Sequence, residues 1–386
     1  MRRVITFLTA TVLLLGSLGV GVFTADLPFW QRAFQLPLAT DGAYLPVAVI
    51  GDAEPAPLGL VAAADSTFDA AAVESAAAHA RNAGSRALLV MHHGRLEVER
   101  YFAADDVRSL MPAGLIARPV AAMAVGRALA DGRLHSLEDR VASVLGEWDG
   151  EPRGKIRLRQ LLEETSGLET GGDIAGLLRR SPWSDPSRLP WFATSKGVRM
   201  LLGNDFESTA LGFSPRHEPG EFYSVSPANT QIAAVIVERA TGEPYERYVD
   251  EKLWRPLGAG HAELQLDRRS GMPAAHCCWR AAARDVLRVA NLLATDGVAD
   301  GRQILPPGWA REMSRASSAS RANAEAGMQL TRSVIAGLET LGAGDDSGSA
   351  FWVVPERGLT IVNIAGPGGE PVDDLPAKLL AALRSN

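Results

Sequence analysis

The sequence predicts an α/β fold of the α+β kind, in which one antiparallel sheet is flanked by helices and joined to a mostly helical lobe. Three observations predict this class. A helical segment and two short strands occupy residues 68–102, and two strands and a helix close the chain at residues 350–383. Most of the segments between them have helical patterns. Because each strand pair must bury an apolar face, we expect both pairs in a single sheet that helices cover.

Each element is predicted from its own local signal. Alanine-rich or apolar-faced runs that begin near capping residues and end near glycine predict helices. These runs lie at residues 68–83, 119–130, 158–164, 230–241, 284–295 and 373–383. Short apolar or alternating runs between turn residues predict strands. They lie at residues 87–91, 96–102, 350–354 and 359–364. Residues 181–191 and 314–327 are predicted loops, and the first is expected to form the rim of a groove.

The first 25 residues predict export. Two arginines after Met1 precede residues 4–25, which carry no charge. A stretch of that length can cross a bilayer, which needs about 20 residues. An uncleaved signal anchor is therefore favoured over a cleaved signal peptide, for which residues 19–21 offer a small-residue cleavage site. The remaining chain is expected on the periplasmic or outer side of the inner membrane, or secreted if the segment is cleaved.

Composition divides the rest of the chain and excludes one class of partner. Residues 26–66 are rich in proline, alanine and aspartate and are predicted to be a linker into the main domain. That domain is predicted at residues 67–386, with its helical lobe at about residues 103–300. The net charge of −6 and the sequence pI of about 5.7 argue against a basic face for nucleic acid.

The two cysteines, Cys277 and Cys278, are adjacent in the sequence. Neighbouring Cα atoms lie about 3.8 Å apart, below the usual disulfide range of about 4.4–6.8 Å. A disulfide between them would be strained, so the expectation is a pair of partly buried thiols. With His276 they could suggest a metal site, but two more spaced ligands would be needed. We expect neither a metal nor a cofactor.

Four segments in order resemble the serine β-lactamase and penicillin-recognising hydrolase family. They are VGRALADGRLHSLE at residues 125–138, IRLRQLLEETSGL at 156–168, HEPGEFYSVSPANTQIAAVIVERAT at 217–241 and YERYVDEKLWRPLG at 245–258. They are most similar to the branch with class C β-lactamases, esterases and 6-aminohexanoate-dimer hydrolases. The resemblance implies a β-lactamase/transpeptidase-like fold over about residues 68–385, with the reaction site in a groove.

The same resemblance implies that the catalytic motifs are degenerate. The family uses Ser-x-x-Lys on a helix, Tyr-x-Asn or Ser-x-Asn on a loop, and Lys-Thr-Gly or a related triplet on a strand. Counting back from the first segment places Leu115 at the serine and Arg118 at the lysine. The leucine side chain has no nucleophilic atom, and arginine stays protonated, so it cannot act as a base. None of these motifs, and no Gly-x-Ser-x-Gly, occurs elsewhere in the chain.

The other two motif positions carry unrelated side chains. The second motif becomes Val225-Ser226-Pro227, and the third lies near Asp345-Asp346-Ser347. Tyr223, two residues before the second motif, is expected to be a core residue. The ring of Pro119 would clash with the carbonyl of residue 115 inside a continuous helix. The helix is therefore expected to begin at the proline.

Three functions are compatible with this sequence. The first is an exported, non-catalytic relative that binds a small-molecule carboxylate, a peptide-like ligand or a partner in the former active-site groove. Its binding residues would be Arg118, Ser226 and Asp346, and an arginine can hold a carboxylate by two hydrogen bonds. The second is an active serine hydrolase, an esterase, amidase or β-lactamase-like enzyme, with a displaced nucleophile at Ser109, Ser166 or Ser226. The third is a structural envelope protein that uses the domain as a docking surface.

Overall fold

The computed structural model describes residues 26–35, 45–172, 187, 189–317, 326–345 and 347–384. Twelve helices are assigned in this part of the chain: α1 (Leu27–Gln35), α2 (Ala70–Asn82), α3 (Ala117–Ala130), α4 (Leu158–Leu162), α5 (Leu189–Thr194), α6 (Lys196–Leu202), α7 (Phe206–Leu211), α8 (Pro227–Thr241), α9 (Tyr245–Val249), α10 (Ala283–Asn291), α11 (Trp309–Ser314) and α12 (Leu375–Ala381). The strands are β1 (Val47–Ile50), β2 (Ser85–His92), β3 (Arg95–Tyr101), β4 (Met111–Pro112), β5 (Ala262–Gln265), β6 (Trp279–Ala281), β7 (Val298–Ala299), β8 (Arg302–Gln303), β9 (Thr331–Ile335), β10 (Leu338–Gly344), β11 (Ala350–Val354) and β12 (Leu359–Ala365).

The main sheet has six strands in the order β3-β2-β12-β11-β10-β9, and every neighbouring pair is antiparallel. It joins the first strand pair to the last, which confirms the predicted sheet. Successive side chains of a strand point to opposite faces. Leu88 and Val90 pack on one side with α2 and α12, whereas Leu89 and Met91 face the larger core with α3 and α10. The mixed α+β fold predicted from the sequence is therefore confirmed.

Residues 26–66, predicted as a linker, contribute elements that pack on the domain. Strand β1 pairs with β5 at the edge of a second sheet, whose order is β1-β5-β6-β4. In α1, Phe29 and Trp30 are buried against Phe192, Val198 and Leu202. Residues 1–25, with the predicted export signal, lie outside the described residues. Within the described ranges, none of the helices combines the length and apolar character that crossing a bilayer requires.

The start of α3 differs from the prediction. A 3-10 turn over Gly114–Ile116 leads directly into α3 at Ala117, so the helix begins before Pro119. The expected clash is absent because the chain at residue 115 is not yet α-helical, and the proline lies in the first turn, where its missing N–H costs no helical hydrogen bond. This turn places Leu115 and Arg118 at the junction of the two sheets and the helical lobe.

Other boundaries shift by a few residues. Helix α8 begins at Pro227 and ends at Thr241, and the next residue, Gly242, has a φ of 74°. Proline suits a first helical position, and glycine suits this left-handed C-terminal position. The predicted loop at residues 181–191 lies mostly outside the described residues, but its last three residues open α5. Ser314, at the start of the other predicted loop, ends α11, and residues 318–325 of that loop lie outside the described residues.

Candidate functional site

A groove of about 310 Å³ opens where the start of α3, the end of β10 and the segment before β6 meet. Its walls come from segments that are far apart in the sequence. The lining residues are Pro112, Gly114, Leu115, Arg118, Tyr223, His276, Cys277, Cys278, Trp279, Gln329, Leu330, Thr331, Ala343, Gly344 and Asp345. Leu115 and Arg118, which were located by counting from the sequence motifs, therefore both line this groove.

Leu115 closes the floor of the groove. Its side chain is only 3% exposed and belongs to the main hydrophobic core. Counting along the sequence predicts this position for the family's serine, but leucine offers neither a hydrogen-bonding nor a nucleophilic atom. The groove floor at Leu115 is therefore apolar.

Arg118 forms an internal ion pair with Glu164. Its Nη2 donates to Glu164 Oε1 at 2.8 Å, and its Nε donates to Gln329 Oε1 at 3.0 Å. Glu164 is only 1% exposed, and its second oxygen accepts hydrogen bonds from Ser226 N at 3.0 Å and Asn229 Nδ2 at 2.6 Å. Two guanidinium nitrogens are thus committed, and the Tyr223 hydroxyl also forms a hydrogen bond with the same guanidinium. The sequence predicts that Arg118 holds a ligand carboxylate by two hydrogen bonds. Forming both bonds would require this hydrogen-bond network to rearrange.

Gln329 links Arg118 to the helical lobe. Its side-chain oxygen also accepts from Thr230 Oγ1 at 2.9 Å, and its backbone N–H donates to Leu162 O at 2.9 Å. Neither Glu164 nor Gln329 was predicted to belong to the site. A glutamate inside the Glu-Glu-Thr-Ser-Gly segment was the available signal, because a buried carboxylate needs a cation and hydrogen-bond donors.

The second-motif region contributes a different residue from the one predicted. Val225 is 45% exposed and is not a lining residue, while Ser226 is buried and Pro227 begins α8. Tyr223 lines the groove instead and is half-buried, so its prediction as a core residue is wrong. Burial, and then the negative charge of Glu164, raise the pKa of the Tyr223 phenol against the opposing effect of the nearby arginine. A phenol with a raised pKa is a poor base at neutral pH.

The three candidate displaced nucleophiles lie outside the groove lining. Ser109 donates to Asp106 Oδ1 at 3.1 Å in a surface turn. Ser166 is buried and donates to Asn229 Oδ1 at 2.6 Å, while Ser226 donates to Glu169 O at 2.8 Å. Each hydroxyl therefore takes part in a local hydrogen bond, as expected for serines that stabilise turns and helix starts.

The third-motif region lies about two residues earlier than predicted. Ala343, Gly344 and Asp345 line the groove at the end of β10. The Asp345 carboxylate accepts hydrogen bonds from Ser347 N at 2.9 Å and from the Ser347 hydroxyl, which organises the turn to β11. Asp346, the predicted binding residue, lies outside the described residues. An acid, rather than a cation, therefore occupies this end of the groove.

Cys277 and Cys278 form a disulfide in the groove wall, so the expected pair of thiols is wrong. Their Cα atoms are 3.7 Å apart, and Cys278 adopts a φ of 67°. That left-handed backbone conformation is uncommon for a residue other than glycine, and here it belongs to the turn that lets adjacent cysteines pair. Burial lowers the pKa of the neighbouring His276 to about 4, so its imidazole is neutral at pH 7. In the described part of the chain, no group of three or more His, Cys, Asp or Glu could hold a metal ion.

A family model described as Beta-lactamase matches residues 70–383. The chain belongs to the β-lactamase family. A curated relative, the 6-aminohexanoate-dimer hydrolase of Paenarthrobacter ureafaciens, is 28% identical over 234 residues, which cover 58% of this chain and 55% of the relative. Protein flp of Staphylococcus aureus strain NCTC 8325 is 27% identical over 146 residues, which cover 37% of this chain and 26% of that protein. The chain thus spans about half or less of the length of these relatives.

Solved structures share the fold. The D-stereospecific amidohydrolase of a Streptomyces species superposes with a TM-score of 0.58 and 19% identity, and the match covers 82% of this chain and 98% of that one. EstCE1, described as a hydrolase with promiscuous acyltransferase activity, has a TM-score of 0.59 and 18% identity, with 82% and 98% coverage. These likenesses show the β-lactamase-like fold. What this groove does must be argued from its own residues.

Proposed function

We propose that this β-lactamase-family protein is exported and membrane-anchored, and that it binds a small peptide-like carboxylate in the groove without cleaving it. Export and anchoring rest on the charged start and the uncharged residues 4–25. The observation that supports binding without cleavage is the nature of the side chains at the expected reaction centre. Leu115 replaces the nucleophile, and Arg118 is held by the buried Glu164.

Acyl transfer needs a nucleophile with a base in hydrogen-bonding reach. The described lining residues offer few hydroxyl or thiol groups. Thr331 donates its hydroxyl to Gly342 O at 3.0 Å, and Tyr223 has a raised pKa. Cys277 has no thiol while it is bonded to Cys278. None of these groups is arranged as an activated nucleophile, which favours binding over hydrolysis.

The charges that remain in the groove suggest the class of ligand. The Arg118 guanidinium and the Tyr223 hydroxyl, which contact each other in the groove wall, carry hydrogen-bond donors suited to a carboxylate. Asp345 adds a negative charge to another part of the same wall, where it would attract an ammonium group. A zwitterionic, peptide-like molecule fits both charges better than a simple dianion does. The groove is open rather than filled, which favours a small ligand over a purely structural docking role.

A binding titration of the full-length protein in mild detergent tests this proposal. The probe is the linear 6-aminohexanoate dimer, chosen because a curated relative is named for it, and its N-acetylated form serves as the probe without an ammonium group. We expect saturable binding by calorimetry, weakened about fivefold by Tyr223→Phe through the loss of one hydrogen bond. Asp345→Asn should weaken the binding of the zwitterionic probe but not that of the acetylated probe.

The matched control is Arg269→Gln, because Arg269 is an exposed arginine that does not line the groove. It should bind both probes like the unmodified protein. Chromatography of the same mixtures detects cleavage. Release of 6-aminohexanoate that needs Ser109, Ser166 or Ser226 would replace the binding proposal with the displaced-nucleophile hydrolase. Binding of neither probe, or binding unchanged in all variants, would also contradict it.

A further inference from the structure

The Cys277–Cys278 disulfide lies beside the former reaction centre. It comes immediately before β6, which pairs with β4 through Met111 and Ala281. Ala113 N donates to Trp279 O at 2.8 Å, so the two segments stay together up to the 3-10 turn that carries Leu115. The backbones are close at this point, since a Cβ at Gly114 would lie 3.4 Å from Cys278 N. The disulfide therefore forms part of the wall that faces a ligand.

Both cysteines are partly exposed and line the groove, which places them beside a small solute that enters it. A buried structural disulfide resists reduction, whereas exposed disulfides are the ones that exchange with thiols. This disulfide also closes no loop, because the two residues are neighbours in the sequence. It cannot stabilise the fold by restricting a long segment of unfolded chain. Cross-linking distant parts of the chain is therefore not its role.

His276 supplies an acceptor for one of the two sulfur atoms. The Gln231 amide is oriented by donating from Nε2 to Pro273 O at 2.9 Å and accepting at Oε1 from Ala275 N at 3.0 Å. The same Oε1 lies 3.1 Å from His276 Nδ1, so we assign the ring proton to Nδ1. The lone pair of Nε2 then faces Cys277 Sγ at 3.5 Å. A thiol on Cys277 would find a hydrogen-bond acceptor already in place.

We propose that the Cys277–Cys278 disulfide is a thiol-exchange site whose substrate is a low-molecular-weight thiol that enters the groove. The substrate thiolate attacks Cys278 Sγ, a mixed disulfide forms, and the bond between the two cysteines breaks. Cys277 leaves as a thiolate, takes a proton from solvent and donates it in a hydrogen bond to His276 Nε2. Attack in the opposite sense would leave the Cys278 thiol without that acceptor.

A second substrate thiolate completes the reaction. It attacks the substrate sulfur of the mixed disulfide, and the Cys278 thiolate that leaves takes a proton from solvent. Two substrate thiols are thereby oxidised to one disulfide, and the protein disulfide is reduced to two thiols. The exchange chemistry involves only the sulfur pair and its imidazole neighbour, although the thiol enters the same groove as the ligand proposed above.

The test uses the full-length protein in mild detergent, without denaturant. The protein is incubated with excess glutathione, quenched with N-ethylmaleimide, and analysed by intact mass and peptide mapping. Before reduction, we expect no maleimide on the cysteines. After a short incubation we expect one glutathione on Cys278 and one maleimide on Cys277, and later two maleimides. Free thiols in the untreated protein, or reaction only after unfolding, would overturn the proposal, as would glutathione mapped to Cys277.

His276→Phe tests the role of the imidazole as a positioning residue. In a buffer of reduced and oxidised glutathione, it should lower the equilibrium constant for reduction about fivefold, which is the effect of losing one hydrogen bond. An unchanged constant would refute the assigned contact. The double variant Cys277→Ser/Cys278→Ser is the control for labelling and should gain no mass. Binding of the 6-aminohexanoate probe to the unmodified, oxidised protein is measured separately, so that a failure of the ligand proposal is distinguished from a failure of thiol exchange.

Discussion

The Arg118→Met variant tests the internal ion pair of the groove. Methionine keeps most of the aliphatic length and removes the charge, so Glu164 would stay buried without its cation. Breaking a buried pair by removing one partner costs about 3–5 kcal/mol. The arginine side chain is 31% exposed, and Glu164 keeps its hydrogen bonds from Ser226 and Asn229. We therefore expect a loss of about 3 kcal/mol in the free energy of unfolding.

The assay is urea unfolding followed by circular dichroism, with Arg247→Met as the matched control. The Arg247–Glu251 pair has a similar separation, 2.9 Å, but its side chains are 65% and 42% exposed, so solvent screens the pair and its loss should cost far less than the loss of the buried pair. Adding Glu164→Gln to Arg118→Met should restore most of the stability, because no unpaired charge remains. An Arg118→Met loss no larger than that of the control would refute a buried ion pair at this site.

Three further changes have expected outcomes on stability. Gly126→Ala should lower the free energy of unfolding by about 2 kcal/mol, because the new Cβ would lie 2.2 Å from the Trp309 ring, whereas Gly146→Ala meets open space and should be neutral in the same thermal melt. Asp69→Ala should cost about 1 kcal/mol through loss of the cap of α2, and an unchanged midpoint of urea unfolding would contradict this. His276 has a pKa lowered to about 4, so the imidazole of the unfolded chain is protonated first as the pH falls. The stability relative to His276→Gln should therefore decrease from about pH 6.5 towards pH 4, and a constant difference over that window would contradict the lowered pKa.

Much of the fold could be predicted because its signals are local. The strands of the two terminal pairs alternate or are continuously apolar, and turns at His93-Gly94 and Gly358 separate them. The predicted pattern of a capping residue before a helix and a glycine after it is found at Asp69, which caps α2, and at Gly242, which follows α8. The predicted start of α3 at Pro119 lies two residues after the observed start at Ala117, because the expected clash arises only if residue 115 is itself α-helical. The 3-10 turn there depends on how the chain enters from β4, which the local pattern does not specify.

The site was predictable only where a residue could be counted from a motif. Leu115 and Arg118 were found in this way, and both line the groove. Glu164 and Gln329 were missed because their burial depends on partners 46 and 211 residues away from them along the chain. Tyr223 was misjudged because an aromatic residue beside a helix start can face either the core or a cavity, and the sequence pattern is the same in both cases.

The disulfide was missed for a different reason. A general range for Cα separation argued against a bond between adjacent cysteines. That range takes no account of the positive φ of Cys278 or of the packing of its turn against Gly114, which depend on the folded structure. Counting also gave only approximate positions for the second and third motifs. For the third motif, Ser347 belongs to the turn organised by Asp345, and the residues that line the groove are Ala343–Asp345, at the end of β10.

Covalent labelling tests the central claim, that the groove binds without forming an acyl-enzyme, most directly. The full-length protein is incubated with a fluorophosphonate and, separately, with a penicillin, beside an active family member as a positive control, and intact masses are measured. The account predicts no adduct on this protein while the control is labelled stoichiometrically. A stoichiometric adduct on any serine, threonine or tyrosine, located by peptide mapping, would contradict it and would identify the nucleophile.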